Sequence, residues 1–263
     1  MQLAGRSVLL TGATGGIGHA IARRLAADGA HLVLSGRRTE VLEPLAAELG
    51  ARVMAADLAE LDAPQRLIAA AGEIHALVAN AGLPASGRLE DFTAEEVDRA
   101  LAVNLRAPIQ LARLLGPQMA ARGDGALVFV SSLAGKAGVP GAALYSATKF
   151  GLRGLALSLR EDLRDSGINV SAVFPGFIRD AGMFADADVK LPRGVGTKAP
   201  DDVAAAVVRA IQSGPAEIDV APVGLRVGAA LAGLAPELAA NLARRMGGHD
   251  VGRQLGDAQR SKR

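Results

Sequence analysis

Tyr145 and Lys149 stand four residues apart in Leu144-Tyr145-Ser146-Ala147-Thr148-Lys149, a spacing that puts two side chains on one face of a helix. A phenol beside an ammonium is a proton-transfer pair, because a nearby cation favours the phenolate and draws its pKa toward working pH. A lowered Tyr145 pKa is therefore expected. Tyr145 is the only tyrosine of the chain, so no other phenol competes for the role, although a lone tyrosine also serves as an amphipathic residue at a core edge. Thirteen residues before it, Ser131-Ser132 close the run Leu127-Val128-Phe129-Val130 and offer a hydroxyl at a strand end.

A second constellation lies near the N-terminus, where Thr11-Gly12-Ala13-Thr14-Gly15-Gly16-Ile17-Gly18 joins a β-type run to a helical pattern. Glycines there permit a tight turn and let a pyrophosphate approach the unpaired N–H groups of the helix. The spacing of Gly12, Gly16 and Gly18 departs from G-x-G-x-x-G, and a plain structural turn is the alternative. After the next strand comes Leu34-Ser35-Gly36-Arg37-Arg38, about where a dinucleotide fold that takes NAD places an acid against the ribose. No acid is there. Gly36 leaves room, and Arg37 with Arg38 can offer a charged fork to a 2′-phosphate, which favours NADP(H). The competing reading has both arginines on a solvated strand end.

The elements that must carry these groups alternate. Ser7–Thr11, 31–35, 52–55, 76–80, 126–131, 169–174 and 217–220 read as strands, with helical patterns between most of them. Their runs lack apolar/polar alternation, as strands covered on both faces do. The expected fold is a single-domain, Rossmann-like, doubly wound parallel α/β sheet of about seven strands in a three-layer sandwich. One domain over residues 1–247 is expected, with a cofactor half of about 1–125, a catalytic and substrate half of about 126–247, and a flexible tail at 248–263. Gly176 to Ala199 looks irregular and is a candidate substrate lid. The apolar run Val223 to Leu238 suits a substrate cover, a partner or membrane contact, or a helix packed on the flank.

Taken in order, these motifs resemble the short-chain dehydrogenase/reductase family over about Ser7 to Val220. In that family TGxxxGxG follows the first strand, an Asp after the third touches adenine, NAG follows the fourth, and a Ser precedes YxxxK. Here they stand as Thr11 to Gly18, Ala56-Asp57-Leu58, Asn80-Ala81-Gly82, Ser132 and Tyr145 to Lys149. The resemblance implies that Tyr145 exchanges a proton with the carbonyl or alcohol oxygen while Ser132 holds that oxygen. It also implies that Lys149 bonds the nicotinamide ribose, and that Asn104 holds a water of the proton relay. Phe174-Pro175-Gly176-Phe177-Ile178 is similar to the family's PG turn, so Pro175, Gly176 and Ile178 are assigned to the nicotinamide end, with Ile178 as the carboxamide contact. The following run, Arg179 to Met183, yields no side-chain assignment. Residue by residue, Asp57 and Asn80 also suit ordinary turns.

Composition narrows the remaining classes. Half the residues are hydrophobic and only 3% aromatic, so the core must be aliphatic. The chain has 29 basic and 27 acidic side chains and no aromatic-basic recognition motif, which argues against nucleic acid. It has no cysteine and four histidines, and the histidines show no ligand spacing, so no metal is expected. No signal-peptide pattern precedes the first strand, and no apolar run is long enough to span a bilayer, so a cytoplasmic protein without a transmembrane segment is expected. Leu133, Val139, Leu144, Phe177, Met183 and Phe184 suggest an apolar pocket for a ketone, aldehyde or secondary alcohol. The family resemblance and the small residues Ala147, Gly151, Gly154 and Ala156 point to a homodimer or homotetramer. A non-catalytic NADP-binding sensor or scaffold is the alternative from another class.

Overall fold

The structure is a computed structural model that describes residues 1–185, 187, 189, 191, 195–245 and 248–259. Seven strands form one sheet: β1 (Ser7–Thr11), β2 (His31–Gly36), β3 (Arg52–Ala55), β4 (Ala76–Ala79), β5 (Gly125–Val130), β6 (Ile168–Pro175) and β7 (Glu217–Val220). Their order is β3-β2-β1-β4-β5-β6-β7, and every pair is parallel.

Parallel strands require crossovers, which are helical here. Helices α1 (Gly16–Ala27), α2 (Thr39–Leu49), α3 (Ala63–Ala71), α4 (Ala94–Leu101), α5 (Ala107–Arg122) and α6 (Ala143–Asp162) follow in sequence. The short α7 (Gly182–Ala185) precedes α8 (Pro200–Ser213), α9 (Val223–Leu234), α10 (Pro236–Arg245) and α11 (Gly248–Gln259). Adjacent strand residues point to opposite faces, and β1 illustrates the result. Val8 and Leu10 join a core with α1, α2 and α8, whereas Leu9 joins the core beneath α3, α5 and α6. Both faces are thus buried, which accounts for the unalternating sequence of the strands.

Connections run one way from β1 to β3 and the other way from β4 onward. The crevice at the carboxyl ends of β1 and β4 is therefore the topological switch point, where open α/β sheets bind ligands. Between α4 and α5 the helix widens into a π-turn over Ala102–Arg106, a local feature that concentrates at functional positions.

Three segments differ from a simple sequence reading. The expected tail at 248–263 is helical over Gly248–Gln259, where Val251 and Leu255 recur at helical spacing; residues 260–263 lie outside the described residues. Within Gly176 to Ala199, α7 forms and Ile178 bridges Lys198, while 186, 188, 190 and 192–194 lie outside the described residues. The apolar run after β7 breaks into α9 and α10 at Ala235-Pro236, because proline cannot continue a helix's hydrogen bonding. Among the described residues no helix is long and apolar enough to cross a membrane.

Candidate active site

The glycine turn is locked to β2 and β4 by backbone proximity. A β-carbon at Gly18 would lie 2.3 Å from the Gly12 carbonyl oxygen, and one at Gly12 would lie 2.6 Å from the Ala81 Cα. Gly12 also has φ +66°, a left-handed conformation that glycine adopts without steric cost. Asn80 laces the two strand ends, its side-chain amide donating to the carbonyls of Thr11 and Gly12 at 3.2 and 3.1 Å. The Thr11 hydroxyl accepts from the N–H groups of Asn80 and Ala81, each at 3.2 Å. Asn80 and Ala81 thus brace the turn, and Gly82 carries the chain past it.

At the end of β2, the Arg38 guanidinium donates to the Thr14 carbonyl at 3.0 Å. Thr14 also covers Gly36, where a β-carbon would meet its methyl at 2.8 Å. Arg38 therefore holds the turn, and Arg37 is the exposed cation beside it. Burial works against the charged form of Asp57, but the Ala59 N–H and Arg99 outweigh it and hold the carboxyl below its ordinary pKa. Those partners lie at 3.0 and 2.9 Å. Asp57 thus makes the turn contact foreseen as its structural role and an ion pair from α4 as well. The Leu58 side chain is buried in the core, leaving only its backbone for a ligand.

The catalytic candidates meet at the ends of β4 and β5. Ser132 accepts from the Ala134 N–H at 3.2 Å and donates to the Pro175 carbonyl at 3.4 Å. Lys149 is 3% exposed, and its ammonium donates to the Val130 carbonyl at 3.0 Å. Measured from the β-carbon position of Gly82, Asn104 Oδ1 and the Met183 methyl lie at 3.6 Å and Lys149 Nζ at 3.8 Å. The buried Asn104 amide accepts from the Leu83 N–H at 2.7 Å and donates to the Leu83 carbonyl at 3.0 Å.

The electrostatics correct one expectation. Burial pushes the Tyr145 phenol above its ordinary pKa, against the easing effect of a hydrogen bond with Ser132. Burial also lowers Lys149 to about 8. The i, i+4 spacing anticipates a Coulombic effect of lysine on tyrosine, but desolvation of both groups dominates in the folded protein.

Past β6 the Gly176 N–H donates to the Val220 carbonyl at 3.0 Å. Lys198 pairs with the carbonyl of Phe177 and the N–H of Arg179, each at 2.9 Å. Ile178's own N–H and carbonyl are left out of that bridge. Asp180 then takes φ 66°, the one positive value at a non-glycine position among the described residues, and turns the chain back toward the glycine turn. Ala181 comes so near Gly16 that a β-carbon there would lie 2.6 Å from the Ala181 Cβ. Neither Arg99 nor the Asp180 turn is legible in the sequence: an arginine on a helix face and an Asp-Ala-Gly run have no chemical signature until the fold brings them to this crevice.

Of the residues proposed to line a pocket, Phe177 and Phe184 pack with ring centres 5.0 Å apart. Met183 reaches Gly82, and Leu133 lies 3.3 Å from the β-carbon position of Gly176. Leu144 instead joins Ala85 and Ala100 in a buried cluster, and Val139 is exposed. Leu144 is thus a core residue, because its position on α6 turns it toward the loop after β4.

The short chain dehydrogenase family profile matches residues 6–190. The chain is 36% identical over 227 residues to the ketoacyl reductase HetN of Nostoc sp., covering 83% of this chain and 79% of that protein. It is 41% identical over 186 residues to nodulation protein G of Rhizobium sp., covering 68% and 76%. Among solved structures, a short-chain dehydrogenase from Sphingobium yanoikuyae in complex with NADPH is similar with TM-score 0.76 and 31% identity, over 90% of this chain and 96% of that one. A 3-ketoacyl-(acyl-carrier-protein) reductase from Brucella melitensis complexed with NADH gives TM-score 0.74 and 28% identity, over 82% and 97%.

Proposed function

The chain belongs to the short chain dehydrogenase family and is an oxidoreductase acting on CH–OH and C=O groups with a nicotinamide cofactor; we propose that it is an NADP(H)-dependent reductase of an apolar ketone or aldehyde. The observation that carries this reading is the Tyr145 phenol, hydrogen-bonded with Ser132 and having the Lys149 ammonium 5.5 Å from its ring centre. The residues present fit the cofactor. Glycine positions 12 and 18 have no room for a side chain, which suits a backbone cradle for a pyrophosphate. The backbone groups of Ile178 left out of its bridge suit a carboxamide, Asp57 and the Leu58 backbone suit adenine, and exposed Arg37 suits a 2′-phosphate.

The chemistry supplied by the bound nicotinamide is hydride transfer. Tyr145 donates a proton from its Oη to the substrate oxygen, a role matched by a phenol that burial keeps protonated. The Ser132 hydroxyl holds that oxygen, and Lys149 bonds the ribose and supports the phenolate left behind. The Asn104 side chain engages both backbone groups of Leu83, so the contact it offers a relay water is best sought in the widened backbone of its π-turn. Microscopic reversibility lets the same groups serve alcohol oxidation.

NADPH oxidation by the purified protein across a panel of ketones and aldehydes tests the reading. Tyr145→Phe should lower turnover by about 10²- to 10⁴-fold, as loss of a general acid does, while NADPH binding persists. An unchanged rate in Tyr145→Phe overturns the mechanism, and NADPH binding without reduction of any carbonyl favours the sensor alternative.

A further inference from the structure

Helix α11 packs against the loop after β4. A β-carbon on Gly256 would lie 2.7 Å from the Gly87 Cα and 3.1 Å from the Gly87 nitrogen, so helix and loop cross backbone on backbone. That loop is tied to the catalytic helix. Gly87 bridges Ala142, and the Tyr145 N–H donates to the Ala85 carbonyl at 3.2 Å.

Three residues beyond Gly256, Gln259 is 4% exposed, and its amide nitrogen donates to the Met183 carbonyl at 3.3 Å. The methyl of Met183 lies 3.6 Å from the same Gly82 position that Lys149 and Asn104 approach. One residue thus connects Gln259 to the catalytic groups. The orientation of the amide follows from its neighbour, since a carbonyl acceptor requires the nitrogen to face it. Gln259 Oε1 is left buried with no hydrogen-bond partner among the described residues. A buried acceptor without a donor is unfavourable.

We propose that Gln259 determines substrate specificity, its Oε1 accepting a hydrogen bond from a hydroxyl or amide N–H that the substrate carries away from the reacting carbonyl. The proposal rests on the reductase reading above. An ether, a second carbonyl or a carboxylate has no proton to give this oxygen and is disfavoured beside it. Next to Met183, Phe184 packs on Phe177, so the remainder of the substrate meets apolar surface. The substrate class is an otherwise apolar ketone bearing one hydroxyl or amide group.

The test uses benzylacetone and its ring-substituted hydroxy and methoxy analogues, with each ring position sampled, and reads kcat/KM with NADPH. For the wild-type protein the hydroxy ketone should exceed its methoxy counterpart by about tenfold at the position that reaches Gln259, the factor that corresponds to one modest hydrogen bond. Gln259→Met, which keeps length and loses the acceptor, should bring the ratio near one. Gln259→Lys can still donate to Met183 but offers no acceptor, and because a hydroxyl oxygen accepts as an ether does, it should likewise bring the ratio near one. Equal wild-type values at every ring position overturn the proposal even if neither variant folds. So does a preference that persists in Gln259→Met, or a loss shared equally by all ketones. A wild-type protein that reduces benzylacetone without discrimination refutes only the role of Gln259; one that reduces none of the series counts against the reductase reading and this proposal together.

Discussion

The Lys149 ammonium stands 5.5 Å from the centre of the Tyr145 ring and is anchored by the Val130 carbonyl at 3.0 Å. A buried cation held by one carbonyl is easily neutralised, and burial lowers its pKa to about 8. The kcat/KM for NADPH, which reports the free protein, should therefore fall as pH rises through about 8. Unfolding does not explain such a fall. Because the folded value lies below the unfolded one, the unfolded chain binds more protons in this range, and the contribution of Lys149 to stability improves as pH rises. A pH-independent kcat/KM up to the ordinary lysine range would contradict the assignment.

Arg37 is exposed at the end of β2 while Arg38 is engaged with Thr14. Arg37→Asp should weaken NADPH binding by about 1 to 3 kcal/mol, the range for a charge-assisted contact, and improve NADH. Titration of both cofactors by fluorescence checks this. Tighter NADH than NADPH binding by the unaltered protein would refute the assignment. Arg38→Ala should weaken both cofactors together, because it acts through the turn.

Gly18 lies 2.3 Å, at its β-carbon position, from the carbonyl oxygen of Gly12. That neighbour is backbone, so it cannot move aside without opening the turn. Gly18→Ala should remove measurable cofactor binding and lower the melting temperature. A variant that binds NADPH normally would show that the turn does not depend on this contact.

The small residues of α6 divide in the folded chain. Gly151 packs on Leu105 and Ala156 is buried in the core beneath the helix, so both serve the protomer itself. Gly154 faces open space, and Phe150 and Leu157 flank it at 42% and 39% exposure. These three recur at helical spacing on one outward face. Light scattering should find a homodimer or homotetramer, and Phe150→Asp with Leu157→Asp should dissociate it. A wild-type monomer at micromolar concentration would exclude that role for the face.

Much of the fold was legible in the sequence because its signals are local. The unalternating apolar runs mark the strands, the glycine turn marks the start of α1, and the four-residue step from Tyr145 to Lys149 falls within the single helix α6. The tertiary structure decided what depends on desolvation and on contacts between distant segments. It raises the Tyr145 pKa where spacing alone anticipates a fall, pairs Asp57 with Arg99 across 42 positions, and moves Leu144 into the core. It also brings Gln259 to Met183 from 76 positions away, a meeting that no spacing in the chain announces. Sequence patterns record which side chains share a face, whereas the pKa and partners of a buried group depend on everything packed around it, and that is fixed only when the layers close.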